Sequence, residues 1–481
     1  MREIPMPGSD WGLTDLGNAD RLVGAYNELM RYCHQTKHWY VWNGSVWAEG
    51  DAQVFDFAKQ VVRNMADALE DAPPDKLAAH AVRSESYWSI SSMIKLASTD
   101  ARVLVTPEDM DADPWLLNMR NGVLDLHTGR LRPHAADGVM HTKCCPLEYR
   151  PEAKCPRWEE FLRTVFQGND AMVQWIQKAM GYTLTGSTRE QVVFFCYGVG
   201  MNGKSTMLEA MRSVLGEYAA AANSSAFMQR AGTGIRNDIA RLKNRRFVTA
   251  TEVGQGKHLD EVVIKQLTGE DMATARFLYT EEFEFRPMFK IWMAGNHKPA
   301  VSGTDHAIWR RMRLIPFDYV VSRDERDPEL PAKLKAEAEG ILAWAVRGAL
   351  VWQLEGLGMP QMVADATLRY REEMDGVGFF LVERCVMHPT LTSDEVALYD
   401  QYGKWAVAAG DTPMSKEDFT RKLTERSGGL VKRIRVNGGW ALRGIDIAKR
   451  VSLTNLIQDE GAEGDGDYYD YPDPVDSQCS N

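Results

Sequence analysis

Apolar and polar positions change most sharply between residues 191 and 215. Val192 to Tyr197 are consecutive apolar residues, the run expected of a strand buried on both faces. Gly198-x4-Gly203-Lys204-Ser205 follows, and then Met207, Leu208, Met211, Val214 and Leu215 recur at helical spacing. Similar apolar runs at Arg246–Thr251, Lys290–Asn296 and Leu314–Phe317 predict further buried strands. Upstream, Asp20–Arg31 has helical periodicity, and Trp39–Trp47 reads as an aromatic hairpin around Asn43-Gly44. A second strand pair is predicted within Arg120–Arg130. Residues 156–190 read as helical, with Trp158, Phe161, Leu162, Val165 and Phe166 apolar. Residues 328–385 read as helices, most clearly Leu334–Leu350. Helices at Glu395–Ala409 and Ser415–Ser427, then a hairpin over Leu430–Arg443 turning at Asn437-Gly438, give the order of a winged helix. The fold class is therefore α/β.

Charge changes this picture in one place. The net charge is −11, but residues 451–481 hold eight acids and no Lys or Arg, so the rest stands at −3. Lys416–Arg443 carries eight basic residues against three acids. That is the electrostatic footprint of nucleic-acid binding, with protein contact as the alternative use of a winged helix. The acidic, Gly-rich tail is expected to be disordered, either as a solubilising segment or as one that binds a partner or mimics DNA. The length, 481 residues, suggests about three domains. No apolar run approaches the ~18 residues of a membrane span. The N-terminus lacks the apolar stretch of a signal peptide, and the seven cysteines form no regular framework. A cytoplasmic protein without a membrane partner is expected.

The chemistry begins at the glycine loop. Glycines let successive backbone N–H groups turn toward phosphate oxygens, and the helix that follows offers unpaired N–H groups and its positive dipole end. Gly198, Val199, Gly200, Met201, Asn202, Gly203, Lys204, Ser205 and Thr206 form the expected nucleotide cradle. Lys204 is expected to reach the β- and γ-phosphates, and Ser205 to offer its hydroxyl to Mg²⁺. Glu252, at the end of the second strand, is placed to act on the attacking water or on the Mg²⁺ shell. Asn296, at the end of the next, is placed to orient water or the γ-phosphate. Arg310 and Arg311, just before a strand, suit an arginine finger given to a neighbouring subunit. Three other constellations have an alternative. Asp109, Asp111 and Asp113 are either paired carboxylates or a loop. His141, Cys144, Cys145 and Cys155 match no standard zinc spacing. Trp39, Trp42 and Trp47 either stack bases or pack a core.

Taken in order, Gly198-x4-Gly-Lys-Ser205, the strand ending in Glu252, Lys265…Leu-Thr-Gly-Glu-Asp271…Arg276, Gly295-Asn-His-Lys-Pro299 and Trp309-Arg-Arg-Met-Arg-Leu-Ile-Pro-Phe317 resemble a superfamily 3 helicase. The branch is that of phage and plasmid primase–helicases and poxvirus primases. Leu117–Leu126 and Pro156-Arg-Trp158 resemble the domain that precedes the helicase there. The resemblance covers roughly residues 14–445. It implies an AAA+ homo-hexamer using ATP and Mg²⁺ to draw single-stranded DNA through its channel, in the 3′-to-5′ direction, and so to unwind duplex. It further implies a host-cell cytoplasmic setting, phage or prophage coding, and a primase or other replication partner. Lys204 and Ser205 then belong to Walker A, Glu252 to Walker B and Asn296 to sensor 1. Arg310 is the finger, with Arg311 the alternative. The corresponding organisation is an extension at 1–13, an N-terminal α/β domain at 14–155 and a helical collar at 156–190. The AAA+ core follows at 191–320, a helical subdomain at 321–390, the winged helix at 391–448 and the tail at 449–481. Candidate DNA contacts are Arg276, Tyr279, Arg286 and Lys290 near the expected channel hairpin, and Arg421, Lys422, Lys432, Arg433 and Arg435 near the wing. Thr251 stands where many members have a second acid, and the hairpin tip Thr280-Glu281-Glu282 is acidic. With no zinc ribbon or convincing carboxylate set, primer synthesis is not expected. An ATP-switched initiator or loader that does not unwind is the other function these features fit, and a protein remodeller is a third.

Overall fold

The computed structural model describes residues 12–67, 75–135, 138–230, 237–252, 254, 257–276, 282–301, 306–374, 376–408, 413–436 and 439–448. The chain divides into two compact units, through Met374 and from Asp375. The first helix, Asp15–Tyr26, ends earlier than periodicity suggests, because Met30–Cys33 leaves it to pair with His38–Trp42. The expected aromatic hairpin joins His38–Trp42 to Trp47–Glu49, with Asn43 Oδ1 accepting from the Ser45 and Val46 N–H groups inside its turn. Trp39 and Trp47 are buried. They are core residues, not a stacking surface. A three-stranded meander over Leu116–Met119, Gly122–Asp125 and Arg130–Arg132 contains the second expected pair.

Next come the helices α1 (Pro156–Val165) and α2 (Asp170–Leu184) and the strand β1 (Val193–Tyr197). Then follow the helix α3 (Lys204–Leu215) and the strands β2 (Ala219–Asn223), β3 (Phe247–Thr251), β4 (Lys290–Gly295) and β5 (Met312–Pro316). The five strands form one parallel sheet in the order β5-β1-β4-β3-β2. Parallel strands need crossovers and cover on both faces, which explains the unbroken apolar run in β1. One face is packed by α2 and by helix α4 (Ala338–Glu355): Phe194 stacks on Trp292 at 4.1 Å, and Trp292 donates to Thr183 Oγ1 at 3.1 Å. Helices α2 and α4 meet so closely that a Cβ on Gly181 would lie 2.0 Å from the Ala349 nitrogen. The other face packs Val193, Phe195, Val248 and Met293 with Ile264, Leu267 and Tyr370. Lys265 lies near the end of a helix, Glu261–Thr268. The strand pair after it is present, with Arg276 opposite Glu282, while its tip falls outside the described residues.

In the second unit a helix, Gly376–Arg384, and a strand, Cys385–Asp394, precede the helices Glu395–Ala408 and Lys416–Arg426. Strands Lys432–Val436 and Gly439–Ile447 pair as the expected hairpin, and the latter also pairs with Cys385–Asp394. Val377, Phe380 and Leu381 share one core with Leu398, Phe419 and Leu442. The unit therefore starts earlier than 391, a boundary that would cut through a continuous strand. The expected turn at Asn437-Gly438 and the tail at 449–481 fall outside the described residues.

Candidate functional site

All five strands of the parallel sheet end at one edge. Thr251 is level with Ala294, Ala294 with Cys196, and both Gly295 and Pro316 with Tyr197. The residues that follow, Gly198, Glu252, Asn296 and Phe317, therefore converge on that edge, where open α/β sheets bind ligands. Because β4 lies between β1 and β3, Asn296 stands between the glycine loop and Glu252.

The loop is shaped by its glycines. A Cβ on Gly198 would sit 2.4 Å from the Phe317 carbonyl oxygen, and one on Gly203 (φ +87°) 2.8 Å from Val165 of α1. Met201 is also left-handed, at φ 50°. Lys204, buried at the start of α3, donates at 2.8 Å to the Gly198 carbonyl and at 2.8 Å to Asn202 Oδ1. Asn202 Nδ2 in turn donates to the Phe317 carbonyl at 2.8 Å. Burial lowers the Lys204 pKa from the usual lysine value, and an anion beside it would act in the opposite direction. Val199, Met201 and Ser205 are exposed, and Thr206 is half-buried. A loop of this shape, opening a helix with free N–H groups, suits a polyphosphate. Ser205 and Glu252 are the residues able to hold a divalent cation there.

Glu252 has a φ of 61°, a conformation that costs a non-glycine residue about 1 kcal/mol or more and is concentrated at functional sites. Its carbonyl accepts from Ser224 Oγ at 3.2 Å, and its side chain faces solvent. Asn296 is also exposed. Lys298, two residues on, lies over the Tyr197 ring at 4.7 Å and pairs with Glu373 at 2.6 Å. Lys298 had no role in the sequence reading, although it belongs to the Gly295–Pro299 motif.

The opposite edge carries a different set of cations. Arg246, Lys290 and Arg311 stand at or just before the first residues of β3, β4 and β5, and all are buried. Arg246 donates to the carbonyls of Pro114 (2.8 Å) and Asp113 (3.1 Å). Lys290 donates to those of Thr185, Ser187 and Met288, and lies 4.7 Å from the Tyr182 ring centroid. Burial and the nearby Arg246 charge hold its pKa well below the usual lysine value. Lys290 thus leaves the set of candidate DNA contacts: it ties β4 to the segment after α2. Arg311 donates to Thr268 Oγ1 (3.2 Å), the Ala307 carbonyl (2.8 Å) and Gln191 Oε1 (3.2 Å). It is a packing residue and drops out as the alternative finger. Arg310 is exposed and touches Gln191 Oε1 at 3.1 Å.

Of the remaining cations, Arg276 is half-buried and Arg286 exposed, while Tyr279 lies outside the described residues. In the second unit Arg421, Lys432, Arg433 and Arg435 are exposed and Lys422 is half-buried. The other constellations do not assemble. Buried Asp111 accepts from Thr142, Lys143 and Asn244, Asp109 caps the Thr106 turn and Asp113 accepts from the Trp115 N–H. Cys145 donates to the Val214 carbonyl, and no metal-holding cluster occurs among the described residues.

A family model described as D5 N terminal like matches residues 19–167. With relatives named as helicases and primases, this makes the chain similar to D5-like primase–helicases. A second model, of a family of unknown function, matches residues 196–311 and so contains both the glycine loop and Arg310. A protein of Acanthamoeba polyphaga mimivirus named as a helicase is 24% identical over 294 residues, covering 56% of this chain and 30% of its own length. One of Frog virus 3, also named as a helicase, is 24% identical over 416 residues, covering 80% and 42%. One of African swine fever virus named as a primase is 27% identical over 217 residues, covering 43% and 22%. The chain thus spans less than half the length of these relatives. The A form apo structure of the NrS-1 C-terminal region aligns over 87% of this chain and 95% of that one, at 10% identity and a TM-score of 0.47. Among the described residues, no helix is long and apolar enough to cross a membrane.

Proposed function

We propose that the chain is an ATP-dependent superfamily 3 DNA helicase: an AAA+ core in a homo-hexameric ring that acts in phage, plasmid or viral DNA replication. The observation that carries this reading is the strand order, which sets Asn296 between the loop holding Lys204 and the strained Glu252 on one edge. ATP would lie along Gly198–Thr206, with Lys204 on its β- and γ-phosphates. Glu252 would take the proton of the attacking water while Asn296 orients it. Ser205 and Glu252 would hold Mg²⁺, which would supply charge neutralisation for the phosphates.

Arg310 supports a shared site. It precedes β5, whose first residue is level with Val193 and whose last is level with Tyr197 beside the loop. At roughly 3.3 Å per residue, it stands about 15 Å or more from its own cradle. A guanidinium so placed serves a neighbour's γ-phosphate. Relatives named as helicases support unwinding as the output. Helices α1 and α2 suit the collar of such a ring, and the second unit, with its two helices and basic hairpin, suits a DNA-binding winged helix. Primer synthesis by these residues is outside the proposal, since Asp109, Asp111 and Asp113 are structural acceptors; a primase or other replication partner fits it.

The test is ATP hydrolysis with and without single-stranded DNA, beside strand displacement on a 3′-tailed duplex. Stimulated hydrolysis with displacement is expected. Stimulation without displacement would favour an initiator or loader, and indifference to DNA would favour a remodeller of proteins.

A further inference from the structure

The positive charge of the second unit resides in its hairpin rather than in the helix beside it. Helix Lys416–Arg426 carries four basic and three acidic residues, and its Arg421 lies 2.8 Å from Asp418 and 3.6 Å from Glu425. The hairpin strands, from Lys432 to Arg443, hold four basic residues and no acid. The hairpin also presents Trp440, 46% exposed, directly across from Arg435. The guanidinium of Arg433 lies over its ring at 4.2 Å and that of Arg435 at 6.0 Å. Arg433 is fixed from behind: it pairs at 2.8 Å with Glu395, whose side chain is only 2% exposed and also accepts from Thr420 Oγ1 at 2.8 Å.

An exposed indole is a poor way to dock the phosphates of a duplex, whose bases are already stacked on each other. It is a good platform for a base that has lost its neighbour, because stacking is sequence-tolerant and the adjacent cations follow the backbone. Arg433, held by a buried carboxylate, keeps the indole and its flanking charge in place before binding and so reduces the entropy lost. Neutralised Arg421 leaves the neighbouring helix with little charge to offer a duplex groove.

We propose that the hairpin of the second unit is a single-strand site, in which an unpaired nucleotide stacks on Trp440 while Arg435 meets a flanking phosphate and Arg433, paired with Glu395, braces the indole. This rests on the reading of the chain as one that acts on DNA, and it names the strand form that the second unit holds.

The test uses the full chain, without ATP, and fluorescence anisotropy of a labelled oligo-dT of about 16 nucleotides, the upper end of single-domain site sizes. A duplex of the same length is titrated in parallel. Trp440→Ala should weaken oligo-dT binding about thirtyfold, in the middle of the range for loss of one stacked base. Duplex binding should change much less, and Trp440→Phe should keep most of the single-strand affinity. Unchanged oligo-dT binding by Trp440→Ala would overturn the proposal. So would equal losses on both DNAs, which would indicate phosphate docking alone. A Trp440→Phe chain that is folded by circular dichroism but as weak as Trp440→Ala would overturn stacking as well. If the unsubstituted chain binds neither DNA and its hydrolysis ignores both, the DNA reading falls, and this inference with it.

Discussion

The two edges of the parallel sheet put their polar side chains to opposite uses. On the carboxyl edge, polar groups are exposed or held by a strained backbone: Ser205, Glu252 at φ 61° and Asn296. On the amino edge, Arg246, Lys290 and Arg311 are buried and bonded mainly to backbone carbonyls. A buried cation is tolerated only where hydrogen bonds replace its water. Those three therefore fasten the sheet to its surroundings. Arg310 alone of these four is exposed, which is what a group serving another molecule requires. Adjacent arginines thus have different fates, decided by one step along the chain.

The contrast can be broken most forcefully at Arg310. Its replacement by Ala should lower turnover about a thousandfold, the lower bound for arginine fingers, with nucleotide affinity retained in an equilibrium binding assay. Lys204→Ala should abolish hydrolysis together with tight phosphate binding. Glu252→Gln should slow single-turnover hydrolysis about a hundredfold or more, the usual yield of a general base, while ATP still binds. The amino edge should respond in stability instead. Lys290→Met leaves the Thr185, Ser187 and Met288 carbonyls without their buried donor, a loss of about 2 kcal/mol by urea denaturation. Arg311→Ala should likewise act on the denaturation midpoint, with ATP affinity near that of the parent. If Arg311→Ala instead reproduced the Arg310→Ala defect at full stability, the division between the edges would fail.

Much of this was legible in the residues. The apolar run of β1, the left-handed positions at Gly200 and Gly203 and the helix behind Lys204 all follow from local rules, because each depends on neighbours in sequence. Glu252 and Asn296 were placed by the ends of their strands. The strand order that brings them together depends on crossovers and was not readable from any one strand. Lys290 misled for a related reason. A lysine at the head of a strand looks the same whether it meets solvent or two carbonyls from the chain after α2, and only the tertiary fold decides. The boundary near 390 was misplaced because Cys385–Asp394 has weak alternation; most of its side chains are exposed, and its partner strand lies some 50 residues later. Trp440 gave no periodic signal, since one exposed aromatic beside a turn has no pattern to join.

The central claim is that Lys204 and Arg310 complete one site from two subunits. The most direct measurement is hydrolysis by mixtures of Lys204→Ala and Arg310→Ala chains, each inactive alone. Recovery of activity, greatest near equal proportions, is expected, since hybrid interfaces then unite an intact cradle with an intact arginine. Activity that stays at the sum of the two parents at every ratio would contradict the shared site.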